Sequence, residues 1–269
     1  MNTTFAGCLG LMLFGCAVAE AGDAPKAVER AEEATPEDAV IALLDRIEAQ
    51  ADQVNTLHAK LRYTTIQGLL GDQQVRYGEL WYAAPGAFGQ DDPANKALQA
   101  ERLAVHFQRE QLDDRPNRVV PADQWLVFDG TFFLERDEQD KQAVRREIRP
   151  PDHDLAAALP VPIRLDRDEA IRRFNITQVE QDKRPEDAPP GITLDFWPKA
   201  GVETEPMLIT FDAQTLLPLE VRFGEEDGDL TMFRLVEPRV NPAGVEIDLF
   251  DTQLPDAPGW DNQFVPFGE

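Results

Sequence analysis

The feature that most constrains this chain is a two-residue apolar rhythm that returns in segment after segment. Leu57, Ala59, Leu61 and Tyr63 alternate with His58, Lys60, Arg62 and Thr64, the pattern of a strand with one face on a core and the other in solvent. The segment Gly78-Glu79-Leu80-Trp81-Tyr82-Ala83-Ala84-Pro85-Gly86-Ala87-Phe88 departs from it. Glu79 and Trp81 share one face and Leu80 and Tyr82 the other, so large apolar groups lie on both sides before Pro85 ends the strand. Each side of such a strand needs a cover.

The rhythm predicts further strands over 75–82, 103–109, 125–129, 131–136 and 142–148, then over 174–180, 192–197, 207–211, 217–224, 230–236 and 245–249. Asp129-Gly130 and Asp227-Gly228 are hairpin signals, and Leu70-Gly71-Asp72 turns the chain. A helix opens at Thr35-Pro36-Glu37-Asp38, with Thr35 as N-cap and Pro36 in the first turn. Val40, Ile41, Leu44 and Ile47 form its apolar stripe, and it fades over 52–55. Two short helices are expected midway. One, over 152–159, carries Leu155, Ala158 and Leu159; the other, over 166–174, has acids at its start and Arg172 and Arg173 near its end, as the helix dipole favours. Segments 91–99, 111–123 and 182–190 read as loops. No internal repeat of fixed period is present. The fold class is α+β, a long antiparallel meander with few helices.

The 269 residues, 42% of them apolar, are enough for one large domain or two small ones. A formal net charge of -24 excludes nucleic acid, because nothing here would neutralise phosphates, and excludes electrostatic attachment to an anionic membrane. The chain contains no serine, which removes every Ser-His-Asp arrangement. Both cysteines, Cys8 and Cys16, lie near the N-terminus, so thiol catalysis and thiolate metal sites are absent from the rest. No glycine-rich nucleotide fingerprint occurs. His58, His106 and His153 read as solvated or capping groups rather than ligands. With 50 Asp and Glu residues, a chance carboxylate pair carries little meaning. No catalytic residue, metal or cofactor is expected.

The stretch from Phe5 to Ala19 is nearly all apolar and small, and the charged chain begins at Glu20. It is too short to span a bilayer and has the length of a secretory signal core, with small residues at Ala17, Ala19 and Ala21. A buried hydrophobic helix is the alternative. The organisation read from this is a signal peptide over 1–21, an acidic linker over 22–35 and a folded domain over 36–262. Leu13-Phe14-Gly15-Cys16 is similar to a lipobox, whose cysteine becomes a lipidated first residue; cleavage after Ala19 or Ala21 is the other route.

The segment from Gly78 to Phe88 resembles a strand of the periplasmic lipoprotein carrier LolA and its relatives, which reads roughly G-x-L-W-V-K-R-P-x-x-F. Leu57-His58-Ala59-Lys60-Leu61 resembles the family's F-H-A-x-F strand, and Leu126-Val127-Phe128-Asp129-Gly130 its hairpin. Phe174-Asn175-Ile176, Trp197-Pro198-Lys199-Ala200 and the interval from Phe250 to Pro255 also have counterparts. The resemblance runs from about Pro36 to Trp260. It implies an incomplete, unclosed antiparallel β-barrel: a strongly curved sheet with an N-terminal helix and two short central helices as lid. It further implies a non-catalytic periplasmic carrier that takes acyl chains of lipoproteins or other amphiphiles into an apolar cavity and delivers them to the outer membrane. Partners would be lipidated proteins or lipids, with an inner-membrane release complex and an outer-membrane receptor, and the chain a monomer. A membrane-anchored acceptor or an envelope-stress sensor of the same fold is the alternative. Alternation on that fold assigns Leu61, Tyr63, Leu80, Trp81, Phe88, Val105, Phe107, Trp125, Val127, Phe132, Leu134, Leu194 and Phe196 to the cavity. The lid takes Leu155, Leu159, Ile163 and Ile171. The family's lid-latching arginine is replaced by Ala84, so another group must supply the latch; Arg62, Arg164 and Arg172 are candidates by location.

If Cys16 is lipidated, labelled palmitate enters the protein in a bacterial host and Cys16→Ala abolishes the label; equal labelling of wild type and variant would exclude this site.

Overall fold

A computed structural model describes residues 35–69, 71–88, 100–112, 118–148, 163–202, 204–224 and 228–267. Helix α1 (Pro36–Ala51) begins as its sequence predicts. The Thr35 hydroxyl accepts from the Asp38 backbone N–H, Asp38 accepts from the Thr35 N–H, and Pro36 sits in the first turn. Its buried stripe is Val40, Leu43, Leu44 and Ile47, with Ile41 half-buried at the margin.

Among the described residues twelve strands form one sheet. They are β1 (Thr56–Gln67), β2 (Asp72–Ala83), β3 (Arg102–Leu112), β4 (Val119–Phe128), β5 (Phe132–Asp137), β6 (Gln142–Glu147), β7 (Phe174–Gln178), β8 (Ile192–Pro198), β9 (Met207–Phe211), β10 (Pro218–Gly224), β11 (Leu230–Val240) and β12 (Asp261–Val265). The spatial order is β12-β6-β5-β4-β3-β2-β1-β11-β10-β9-β8-β7, and every pair is antiparallel except β12 with β6. β12 and β7 form the two edges and do not meet, so the sheet is open and curved, not a closed barrel. Register breaks accompany the curvature at Tyr77/Gly78, Phe107/Arg109, His58/Lys60 and Pro218/Glu220. A second helix, α2 (Arg167–Arg173), is capped by Asp166 and packs against α1 and β7.

Several expectations are corrected. The segment 245–249 is not a strand; a single 3-10 turn, Ile247–Phe250, places both Leu249 and Phe250 on the sheet, which strict alternation could not do. Most of the described residues in the expected loop over 111–123 are strand, because β3 and β4 continue pairing through Glu110↔Val120 and Gln111↔Val119. β12 was not anticipated and carries the sheet past residue 262. The expected helix over 152–159, the loop over 91–99 and the segment 1–34 lie outside the described residues.

Gly78, the first residue of the quoted strand, is required by a close approach. A Cβ there would lie 2.0 Å from the His106 carbonyl oxygen, at the β2–β3 register break. Gly78→Ala should lower stability by about 2 kcal/mol or more, measured by urea unfolding, since neither backbone can retreat without breaking the ladder.

Candidate functional site

Residues directly opposite across strands share a face, so the registers divide the sheet into two surfaces. One bears the helices. Its rows include Leu57–Tyr82–Leu103–Phe128–Phe133 and Ala59–Leu80–Val105–Leu126. A further row runs Leu194–Ile209–Val221–Phe233–Tyr63 into the other half of the sheet. Over β7–β10 this face is covered by Val40, Leu43, Leu44 and Ile47 of α1 and Ala170 of α2. Over β1–β5 the buried residues from outside the strands are, among those described, Val54, Ala84, Ile163 and Leu217.

This helix face grades from apolar to polar along the strands. Tyr63 packs against Phe233 at 4.6 Å and Phe107 at 5.8 Å. Beyond it Arg76 lies 5.8 Å over the Phe107 ring and 3.5 Å from Glu110, which also accepts from Gln74. Gln124 donates to Asp137 at 2.8 Å. Burial works to raise the Asp137 pKa, but backbone N–H groups of Asp140 and Gln139, the Gln124 amide and the Arg76 charge outweigh it and hold it low.

At the opposite, apolar end Arg164 reaches Asp52, the residue that caps α1, at 2.6 Å, and approaches Glu101 at 3.9 Å. Glu101 also accepts from the Tyr82 hydroxyl at 3.0 Å, and burial, then the Glu101 charge, pushes the Tyr82 pKa far up. The Ala84 N–H donates to the Asn55 carbonyl just past α1. Of the three candidate latch arginines, Arg164 alone joins two elements at this end. Arg62 pairs across with Tyr77 on the other face, and Arg172 is held by Glu169 within α2.

The outer face carries its own apolar patch. Ala83, Ala104, Val127, Leu134 and Ala143 are buried under Phe250, with Val245, Leu249, Leu254 and Trp260 alongside. Beside it runs a stacked ladder. His58 lies 5.3 Å from Trp81, Trp81 5.9 Å from Trp125 and His106 4.0 Å from Trp125, all within 12° of parallel. Glu79 meets His58 at 3.1 Å and Asp123 meets His106 at 2.8 Å. These histidines are therefore half-buried stacking groups and not solvated ones. Period-two reading places His58 and Trp81 on their faces but cannot show that they are cross-strand partners. Among the described residues no group of three His, Cys, Asp or Glu side chains is arranged to hold a metal ion.

Farther along the outer face a groove of about 570 Å³ opens over β8–β11. Its lining includes Trp197, Leu208, Met232, Leu230, Asp195 and Arg222. Below it Glu220, only 2% exposed, accepts from Arg222 Nε at 2.6 Å and Arg234 Nε at 2.5 Å, and Arg222 reaches Asp187 at 2.6 Å. Burial raises the Asp187 pKa less than Arg222 and Arg234 lower it. The Asp195 pKa is raised by burial alone.

The residues expected to line one cavity thus fall on two surfaces. Leu61, Tyr63, Leu80, Val105, Phe107, Leu194 and Phe196 lie on the helix face. Trp81, Trp125, Val127 and Leu134 belong to the outer patch, where Phe88 joins Phe250 at 5.9 Å and Phe132 meets Phe264 at 6.3 Å. The physical reason is the pleat: neighbours such as Leu80 and Trp81 cannot face one hollow. Ile163 is buried on the β1–β5 half and Ile171 packs beside α1, whereas Leu155 and Leu159 lie outside the described residues.

No protein-family model matches the chain, and no curated protein does. Among solved structures, MucB is similar with a TM-score of 0.47 and 18% identity, over 81% of this chain and 65% of that one. A LolA superfamily protein from Nitrosomonas europaea gives 0.35 and 8%, over 77% and 97%. The Mycobacterium tuberculosis lipoprotein LppX gives 0.38 and 11%, over 78% and 100%. The chain spans about two thirds of the MucB chain, at 65%. The open sheet with helices on one face agrees with the unclosed antiparallel α+β fold expected from the sequence; at these values no neighbour says what this chain binds.

Glu220→Ala leaves two guanidinium groups without their buried carboxylate. It should cost about 3 kcal/mol of unfolding free energy, and far more than Glu180→Ala at an exposed pair, when both are measured by denaturant titration.

Proposed function

We propose that the chain is a non-catalytic carrier of the cell envelope that holds acyl chains of lipidated proteins or other amphiphiles against its helix face. The observation that carries this reading is the grading of that face. Rows of aliphatic and aromatic side chains, covered among the described residues by Val54, Ala84, Ile163 and Leu217, give way to Arg76, Glu110, Gln124 and Asp137 at the other end. An amphiphile matches that profile, tail on the apolar rows and head at the charged end. Each methylene moved out of water contributes about 0.8 kcal/mol. Leu80 and Val105 are fully buried in this form, so a ligand must displace the cover, which competes for the same apolar surface.

Leu61, Tyr63, Leu80, Val105 and Phe107 form the acyl-binding wall in this proposal, and Ile163 with Ile171 belongs to the cover. Arg164 supplies the latch that Ala84 lacks, through Asp52 and Glu101. Donor and acceptor would be a release complex at the inner membrane and a receptor at the outer membrane, with the carrier itself exported.

The mature protein should carry lipid or acylated peptide visible by native mass spectrometry and should take up a fluorescent fatty acid. Empty protein that ignores the probe overturns the carrier. Arg164→Ala should speed probe exchange several-fold with little change in stability, because an exposed pair contributes only about 0–1 kcal/mol; unchanged exchange removes Arg164 as latch.

A further inference from the structure

We propose that the outer groove over β8–β11 is a second binding site, selective for a small amphiphilic cation, an amine or guanidinium joined to an apolar body. The site is separate from the helix face and does not depend on the carrier reading.

The charges of the groove decide the class of ligand. Glu220 and Asp187 are carboxylates, Arg222 and Arg234 guanidinium groups, and the four neutralise one another through direct contacts. Asp195 stands outside that group. Among the described residues it has no hydrogen-bond or ion-pair partner, and its cross-strand neighbours are Leu208 and Thr177. It is half-buried among the groove's apolar side chains, and that burial raises its pKa. A carboxylate so placed loses hydration without gaining a donor, and a bound cation supplies the missing partner. A neutral O–H or N–H donor supplies the weaker hydrogen bond without the counter-charge, and an anion is repelled.

The rest of the groove suits an apolar body. Ile66, Leu208, Leu230 and Met232 line it, and Trp197, 55% exposed, stands two residues from Asp195 on the same face of β8. An exposed indole beside a carboxylate offers a cation both a π face and a counter-charge. The volume of about 570 Å³ is that of a small-molecule site. The site is preformed. Arg184 ties its loop through the Gly191 carbonyl at 3.1 Å and that of Pro189, while Arg222 fastens Asp187 over the sheet. The chain's net charge of -24 attracts cations from a distance.

The test uses full mature protein labelled with 15N at its tryptophan indoles, four in all, with Trp197→Phe assigning the relevant signal. Dodecylamine, dodecanol and dodecanoate, which share a tail, are titrated below their aggregation concentrations. Dodecylamine should move the Trp197 signal and bind about tenfold or more tighter there than the alcohol. Asp195→Asn should reduce the amine to the alcohol's level, and Leu208→Lys, which sets an ammonium beside Asp195, should abolish the response. Equal Trp197 responses to all three ligands, no response to the amine, or a retained preference in both variants overturns the proposal. Tail binding that moves other signals and spares Trp197 also overturns it, while leaving the acyl-carrier reading intact.

Discussion

The pairing of β1 with β11 makes this molecule one sheet. On one side of it β1 to β6 form a meander in chain order; on the other, β7 to β11 form a second. The two are continuous only because Leu57 to Ile66 pair with Val240 to Leu230, across a single register break between His58 and Lys60. A slip of one residue would exchange the faces of half the sheet. The row that runs from Leu194 through Phe233 to Tyr63 would then end in a polar one. Both the graded helix face and the outer groove depend on this register, since each draws on residues from both sides of it, the groove through Ile66 of β1.

Both surfaces of the sheet are loaded, and differently. Among the described residues, the helix face is covered by α1, α2 and Val54, Ala84, Ile163 and Leu217. The outer face is closed over β2–β6 by the C-terminal segment around Phe250 and Trp260, and remains open over β8–β11. In that open half the polar side chains do structural work: Glu220 and its two arginines fill positions where an apolar cover would otherwise be needed. Such a network orders the loop over 181–191 through Asp187, so the wall of the groove is set by charge and not by apolar packing.

Much of the architecture is legible in the amino-acid order. Thr35, Pro36 and Asp38 specify the start of α1, and the alternation around Leu61 and Leu80 specifies strands. What alternation lacks is a label for which face meets the helices. In β2 both Leu80 and Trp81 are large and apolar, so the expected cavity mixed the two surfaces. β12 escaped because Asp261, Asn262 and Gln263 are poor strand formers with exposed side chains; its pairing is imposed by docking on β6. The groove was invisible for a related reason. Asp195 becomes notable only when its cross-strand neighbours are known, and Leu208 is thirteen residues away in the chain.

The two margins of the sheet have a bearing on how copies of the protein behave toward one another. β7 is five residues long, and its Asn175, Thr177 and Gln178 are exposed and polar. β12 is equally short and displays Asp261, Asn262 and Gln263 beside a half-exposed Phe264. Short, mostly hydrophilic margins give a second molecule little to template on. A twelve-stranded open sheet invites end-to-end fibre growth; end strands this short and this polar discourage it on both sides.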